Sequence, residues 1–359
     1  MRGSFRIARV FGIPVSLHIT FLLFVAFLAM VYAFKGGLAE AVRGVSFILA
    51  LFLSVTLHEL GHSLVARRFG VKVREIVLLP IGGVSQMESM PEQPRQEFLI
   101  AVAGPLTSVV LGLLLGAFSL LAYGPAETLR ASVTGGRFIA NLGRVNLLLA
   151  VFNLLPGFPM DGGRILRSIL ATYMPFPRAT RIAAVTGRLF AVCLGVIGLF
   201  GNVWLAFIAV FIYLGAGQEE SGVRMRAALH DIPVSRAMVR EFQELSPDDP
   251  ISRAVEFAYH GFQEDFPVTK DGEVVGVLTK ADTLAALHRY GPQVAVSQIM
   301  RTDFTRVKTD QTLEQVYQAV RQCGCSSLPV VEGNRLVGII TLEALGRYFM
   351  FSSAASDRR

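Results

Sequence analysis

Charge is scarce in this chain. Asp, Glu, Lys and Arg make up 17% of its 359 residues, against 52% hydrophobic ones, and a single aspartate, Asp161, precedes Gly217. So apolar a composition excludes a disordered chain and an ordinary soluble protein. Cysteine is equally sparse. Cys193, Cys323 and Cys325 are the 3 present, and none has C-x-x-C spacing, which speaks against a disulfide framework or a cysteine-bound zinc. A reducing, cytosolic setting for the tail fits that count. The N-terminal stretch MRGSFRIARVFGIPVSLH has no small-residue cleavage site before its apolar run, so the run is expected to be a retained helix and not a signal peptide.

What is present is unevenly placed. Nearly all long apolar runs lie before residue 217, and the remainder reads as a charged globular sequence. A polytopic α-helical membrane protein followed by a soluble α/β module is expected, with the boundary near residues 221–222. At about twenty residues per crossing, about six segments can be read: 15–34, 44–66, 97–123, 138–156, 180–198 and 202–217. The N-terminus and the second and fourth connections are rich in arginine and lysine: Arg2, Arg6 and Arg9; Arg67, Arg68, Lys72, Arg74 and Arg95; Arg164, Arg167 and Arg178. The positive-inside rule then places both termini in the cytoplasm of a cell whose plasma membrane holds the protein. The net charge of +7 is accounted for in this way, and no nucleic-acid partner is expected.

The segment at 44–66 contains His58-Glu59-Leu60-Gly61-His62. Two histidines four apart on a helix share a face, so their ring nitrogens can converge on one zinc ion. Glu59 between them is placed to take a proton from zinc-bound water, the arrangement of a metallopeptidase. The flank SFILALFLSVTL is too apolar for a soluble surface helix, and ionisable residues in such a setting are functional candidates. His62 lies five residues from Arg67, about 7–8 Å along a helix, so the metal belongs nearer the cytoplasmic face than the midplane.

A catalytic zinc usually has three protein ligands and a water. Asp161 lies in Asn153-Leu-Leu-Pro156-Gly-Phe-Pro159-Met-Asp161-Gly162-Gly163-Arg164, where prolines and glycines break the helix. Irregular backbone at membrane depth must be buried in protein or line a polar cavity. The lone carboxylate there is the natural third ligand; its other reading is a helix N-cap kept solvated by Arg164 and Arg167. Asn153 has two readings, a hydrogen-bond donor to the oxyanion or substrate backbone, and a helix–helix contact. Residues 71–87 alternate, turn at Gly82-Gly83 and read as a β-hairpin whose edge could hold an extended peptide, or as a plain loop. His18 is expected to be an interfacial anchor, and Arg188 to snorkel toward the cytoplasm or, alternatively, pair with a carboxylate.

The tail repeats itself. Phe266-Pro267-Val268 recurs as Leu328-Pro329-Val330, Gly276-Val277-Leu278-Thr279 as Gly338-Ile339-Ile340-Thr341 and Met238 as Met300, each 62 residues on. Each unit reads helix, strand, turn, strand, helix. This resembles a tandem pair of cystathionine-beta-synthase-type (CBS) modules, with repeats over 222–290 and 291–359. The resemblance implies an adenine nucleotide (ATP, ADP or AMP) between the modules, with Thr279 and Asp282 as its contacts. The matching position in the second repeat is Ala344, so at most one well-formed ribose site is expected. Such pairs also tend to associate, which implies a homo-oligomer.

Residues 1–217 in turn resemble the site-2 protease family of intramembrane zinc metalloproteases, on HELGH, the broken-helix motif with Asp161, and Ala103-Gly104-Pro105. The CBS tail resembles the branch that includes the sporulation factor protease. The resemblance implies one zinc per chain on His58, His62 and Asp161, Glu59 as base, and a membrane-spanning protein substrate. Thr107-Ser108 stand where such proteins often have an asparagine, which puts a polar role there in doubt. The competing readings are a CBS-regulated transporter or channel and a catalytically silent scaffold.

Overall fold

In the computed structural model the first element is not a helix. Phe5-Arg6-Ile7 alternates apolar and basic side chains, and Ser4–Val10 forms strand β1, paired antiparallel with β2 (Ile13–His18) across Phe11-Gly12. The membrane segment expected from residue 15 therefore starts later, at Ile19. Residues 3–87, 91–129, 136–261, 263–323 and 325–356 are described; Arg2 and Arg130, and the last three residues of the tail, lie outside them. The chain divides into two units, Met1–Ser221 and Gly222–Arg359.

In the first unit, His18 caps helix α1 (Ile19–Arg68), its Nδ1 accepting from the Thr20 amide at 3.3 Å. Gly36 and Gly37 leave helical geometry, Gly37 at φ 74, so α1 is two arms joined at a sharp bend. The second arm, from Leu38, is the longer by roughly 20 Å at 1.5 Å per residue. Strands β3 (Val73–Leu79) and β4 (Gly82–Met87) fold back beside that excess length. The four strands form one sheet in the order β1-β2-β3-β4, with β2 and β3 parallel. A core of Ile13, Phe21, Phe52, Leu60, Ile76 and Leu78 seals sheet to helix. His58 and Glu59 therefore have protein, not only lipid, beside them.

The hairpin expected at 71–87 is present, but its turn is Pro80-Ile81, with Leu79 paired to Gly82. Both glycines belong to β4. Helices α2 (Pro94–Leu129), α3 (Gly136–Asn153), α4 (Asp161–Leu170), α5 (Phe176–Gly201) and α6 (Val203–Leu229) follow. Among the described residues four helical elements are long and apolar enough to cross a membrane, and Phe138–Asn153 is a shorter apolar one. Counting the two arms of α1 separately gives six, as the hydropathy suggested. The broken segment 154–160 packs directly on α5: Phe158 N–H donates to the Ala183 carbonyl at 3.3 Å, and Gly157 meets Gly187 backbone to backbone. Any side chain on Gly187 would collide with the Phe158 carbonyl.

The second unit is built from α7 (Ile251–His260), β5 (Phe266–Lys270), β6 (Glu273–Leu278) and α8 (Lys280–Tyr290), then β7 (Val307–Lys308), α9 (Leu313–Cys323), β8 (Ser327–Glu332), β9 (Arg335–Thr341) and α10 (Leu342–Ser356). Its sheet has the order β5-β6-β9-β8-β7. The repeats are interlocked. Gly276 of the first makes room for the Met300 sulfur, and Gly338 of the second for that of Met238. That exchange gives the repeated Gly and Met a packing reason. Cys323 and Cys325 lie side by side at the end of α9 and the approach to β8.

Candidate metal centre

His58 and His62 project one turn apart from the second arm of α1, and α4 brings Asp161 to them from a hundred residues further on. His58 Nε2 and His62 Nε2 lie 3.2 Å apart, and each approaches Asp161 Oδ2, at 3.2 Å and 3.1 Å. These donor atoms form the one cluster among the described residues with the composition and spacing to hold a metal. Both histidines are buried, and Asp161 nearly so.

The outer ring nitrogens are tied down. His62 Nδ1 is 2.7 Å from the Ile100 carbonyl, which can only accept, so Nδ1 carries the proton and Nε2 turns a lone pair inward. His58 Nδ1 meets Ser108 Oγ at 2.9 Å. The polar role placed in doubt at Thr107-Ser108 is thus filled, by Ser108. Two lone pairs and a carboxylate converging in a buried space repel one another unless a cation joins them. Ligands about 2.05 Å from a tetrahedral zinc are separated by about 3.3 Å, close to the observed edges. The residues fit zinc.

Neighbouring backbone is shaped to the site. A Cβ on Gly104 of α2 would stand 2.1 Å from His62 Nε2 and 2.7 Å from His58 Nε2, so only glycine lets α2 pass. The Ser85 amide of β4 donates to Glu59 Oε2 at 3.2 Å. Gly83 lies against the Glu59 stem, and Ser85 Oγ meets Ser63 Oγ at 2.8 Å. Glu59 thus faces an edge strand.

Other expectations fared differently. Asn153 Nδ2 donates to the Leu149 carbonyl of its own helix at 2.9 Å, and none of its hydrogen bonds among the described residues reaches the metal cluster. Met160, not Asp161, is the N-cap of α4, and Asp161 is its first residue. Arg167 does not solvate it: the guanidinium is buried between the Phe158 and Phe176 rings and binds Glu97 on α2. Arg188 pairs with Glu220 at 2.5 Å and does not snorkel free. The Arg188 pairing is the alternative that the sequence offered; the Arg167–Glu97 pair was missed because its members lie 70 residues apart, and a carboxylate such as Glu97 at the mouth of an apolar run was the available signal.

In the second unit Thr279 caps α8, its hydroxyl donating to Asp282 Oδ2 at 2.6 Å. Arg301 grips the same carboxylate through Nε (2.6 Å) and Nη2 (3.0 Å). Thr279 and Asp282 do come together, but with an arginine already in place. A cavity of about 590 Å³ opens instead at Ala344, lined by Arg236, Met238, Arg347, Tyr348 and Phe351 among others.

A helical membrane bundle carrying a buried two-histidine, one-aspartate cluster beside a glutamate defines a membrane metallohydrolase in class. The profile of peptidase family M50 matches residues 46–136 and 126–194, and that of the CBS domain matches 231–289 and 296–350. The chain is 34% identical to zinc metalloprotease MJ0392 of Methanocaldococcus jannaschii over 342 residues, 95% of this chain and 94% of that protein. It is 29% identical to stage IV sporulation protein FB of Bacillus subtilis over 257 residues, 68% of this chain and 83% of that one. A solved site-2 protease from M. jannaschii is 40% identical over 60% of this chain and 95% of its own, with a TM-score of 0.47. The chain belongs to peptidase family M50, the site-2 protease zinc metalloproteases, and carries a CBS pair. The transporter reading falls away with that membership.

Proposed function

We propose that this protein is an intramembrane endopeptidase holding one zinc on His58, His62 and Asp161, with Glu59 as general base. The observation that carries the proposal is the closed triangle of three donor atoms at 3.1–3.2 Å, one from a helix a hundred residues away. Zinc bound there supplies a Lewis acid that makes water nucleophilic near neutral pH and polarises the scissile carbonyl. Glu59 takes the proton of the attacking water and returns it to the leaving amine. Ser108 and the Ile100 carbonyl hold the rings in the tautomer that presents Nε2. The surrounding sheet and helices keep bulk water from the site.

The substrate class is a membrane-spanning protein. Its helix must unwind before a peptide bond is accessible, and β4, at the edge of its sheet and beside Glu59, is suited to pair with the extended segment. Residues 1–221 form the catalytic part in this reading, 222–290 and 291–359 the two CBS repeats. The protein sits in the plasma membrane with both termini cytoplasmic, as the arginine distribution supports.

The CBS pair takes an adenine nucleotide and serves as regulator and as surface for self-association. Two arginines and two aromatic rings around the cavity at Ala344 suit phosphate and a flat base. At Asp282 a ribose must displace Arg301. Titration of ATP, ADP and AMP into the full-length protein tests this, and failure of all three at physiological concentrations would end the nucleotide reading.

For the protease reading, the purified protein is expected to contain about one zinc per chain. Glu59→Gln is expected to keep the metal and lose cleavage of a reconstituted membrane substrate. Zinc-free active protein, or cleavage intact without Glu59, would sink it.

A further inference from the structure

His58 and His62 share one helix, so their spacing is fixed by helical geometry. Asp161 has no such guarantee. It opens a ten-residue helix that follows an irregular segment, and its place depends on what holds α4. Two ionic contacts do so, beside its packing on α2 and α5. Arg167 binds Glu97 of α2 deep in the protein, and Arg164, one turn after Asp161, donates through Nη2 to Glu219 Oε1 of α6 at 3.0 Å. Glu219 also reaches toward Arg167 Nη1, at 3.9 Å. The next residue, Glu220, pairs with Arg188 of α5. Helices α2, α4, α5 and α6 are thus joined by charge.

The two contacts differ in kind. Arg167 and Glu97 are almost completely buried, and Glu97 Oε2 finds no partner among the described residues. Removing one member leaves an uncompensated buried charge, which threatens the fold itself. Arg164 and Glu219 keep about a quarter of their side chains exposed, at 26% and 28%. Loss of either leaves a partner that still reaches solvent. The pair is nonetheless one turn from the ligand, on the same face of α4 as Arg167.

We propose that Glu219 of α6 is a positioning residue for the metal site, acting through Arg164 to hold Asp161 against the two histidines. Without it, Arg167 is the one ionic anchor left to α4 among the described residues, beside its packing on α2 and α5, and the Asp161 carboxylate drifts from the triangle. This rests on the reading of Asp161 as a metal ligand.

The test is zinc affinity of the full-length protein in detergent, by competition with a chromophoric chelator, beside its melting temperature. Glu219→Gln and Arg164→Gln are each expected to weaken zinc binding about tenfold, the low end of losses at residues supporting metal ligands. The double variant should be no weaker than either single one, since both remove the same contact. Arg164→Lys and Glu219→Asp, which keep the charges, should lose less and carry the test if a glutamine variant does not fold. Zinc affinity within twofold of the parent at an unchanged melting temperature overturns the proposal, as do fully additive losses. Asp161→Ala separates the two claims. If it retains parental affinity, the ligand assignment itself fails; if it loses zinc while Glu219→Gln does not, only the positioning role fails.

Discussion

The Ser85 amide donates to Glu59 Oε2 at 3.2 Å, so a strand outside the helix bundle holds the side chain that sits between the two histidines. Gly83, two residues earlier, completes that support, since a Cβ there would come 2.8 Å from Glu59 Cγ. Gly83→Ala must therefore push the base or bend β4. Turnover is expected to fall roughly 10–100-fold, the scale of a small misplacement of a reacting group. Zinc content should be unchanged, because neither histidine touches Gly83. Paired measurements of turnover and bound zinc check this, and loss of zinc would mean that the strand supports the ligands as well.

Gly104→Ala should fail in the opposite way. The added methyl would occupy the space between the two Nε2 atoms, closer to each than van der Waals contact permits. Zinc affinity is expected to fall by 100-fold or more, about the upper end for residues supporting a site. Activity should follow occupancy and recover, at least in part, with excess zinc. Gly83→Ala should show no such recovery.

Ser108→Ala removes the one side-chain partner of the His58 Nδ1 proton, in a place where water has little access. An unmatched buried donor costs about 1–3 kcal/mol, and the ring is freed to rotate. Zinc affinity should drop roughly 10–100-fold. No side-chain substitution can do the same to His62, whose partner is the Ile100 carbonyl. Chelator competition on Ser108→Ala decides whether the bond matters.

How much of this was legible in the chain depends on the range of the interaction. His58, Glu59 and His62 lie within one helical turn and a half, so local spacing declared them. Asp161 was reachable because it is the lone aspartate in an apolar half, an argument from scarcity. The CBS repeats announced themselves through a fixed 62-residue offset. Arg167–Glu97 and Arg164–Glu219 join residues 70 and 55 apart, and no local pattern encodes such a pair. Strand β1 had a readable signal in its alternation, masked by the apolar run that follows. Gly82-Gly83 was misread as a turn because glycine serves both turns and close approaches, and only the position of Glu59 distinguishes the two.

Asp282 allows a prediction in pH. Burial raises its pKa, but hydrogen bonds from Arg301 and Thr279, together with the arginine's charge, outweigh that and hold the carboxyl below its ordinary value. A group with a lower pKa folded than unfolded binds fewer protons when folded, so its stabilisation is present above the unfolded value and disappears as pH falls through the folded one. The unfolded value is about 3.9. Arg301 is half exposed, which keeps the pair within the range of surface bridges, up to about 1 kcal/mol. Asp282→Asn should therefore lower the melting temperature of the CBS unit slightly at pH 7 and equally at pH 5. The gap should close only below about pH 4, where the parent's own carboxylate is neutralised. Calorimetry of the full-length protein and the variant across that range is the measurement. A gap that persists unchanged below pH 4 would show that the Asp282–Arg301 contact does not form in solution.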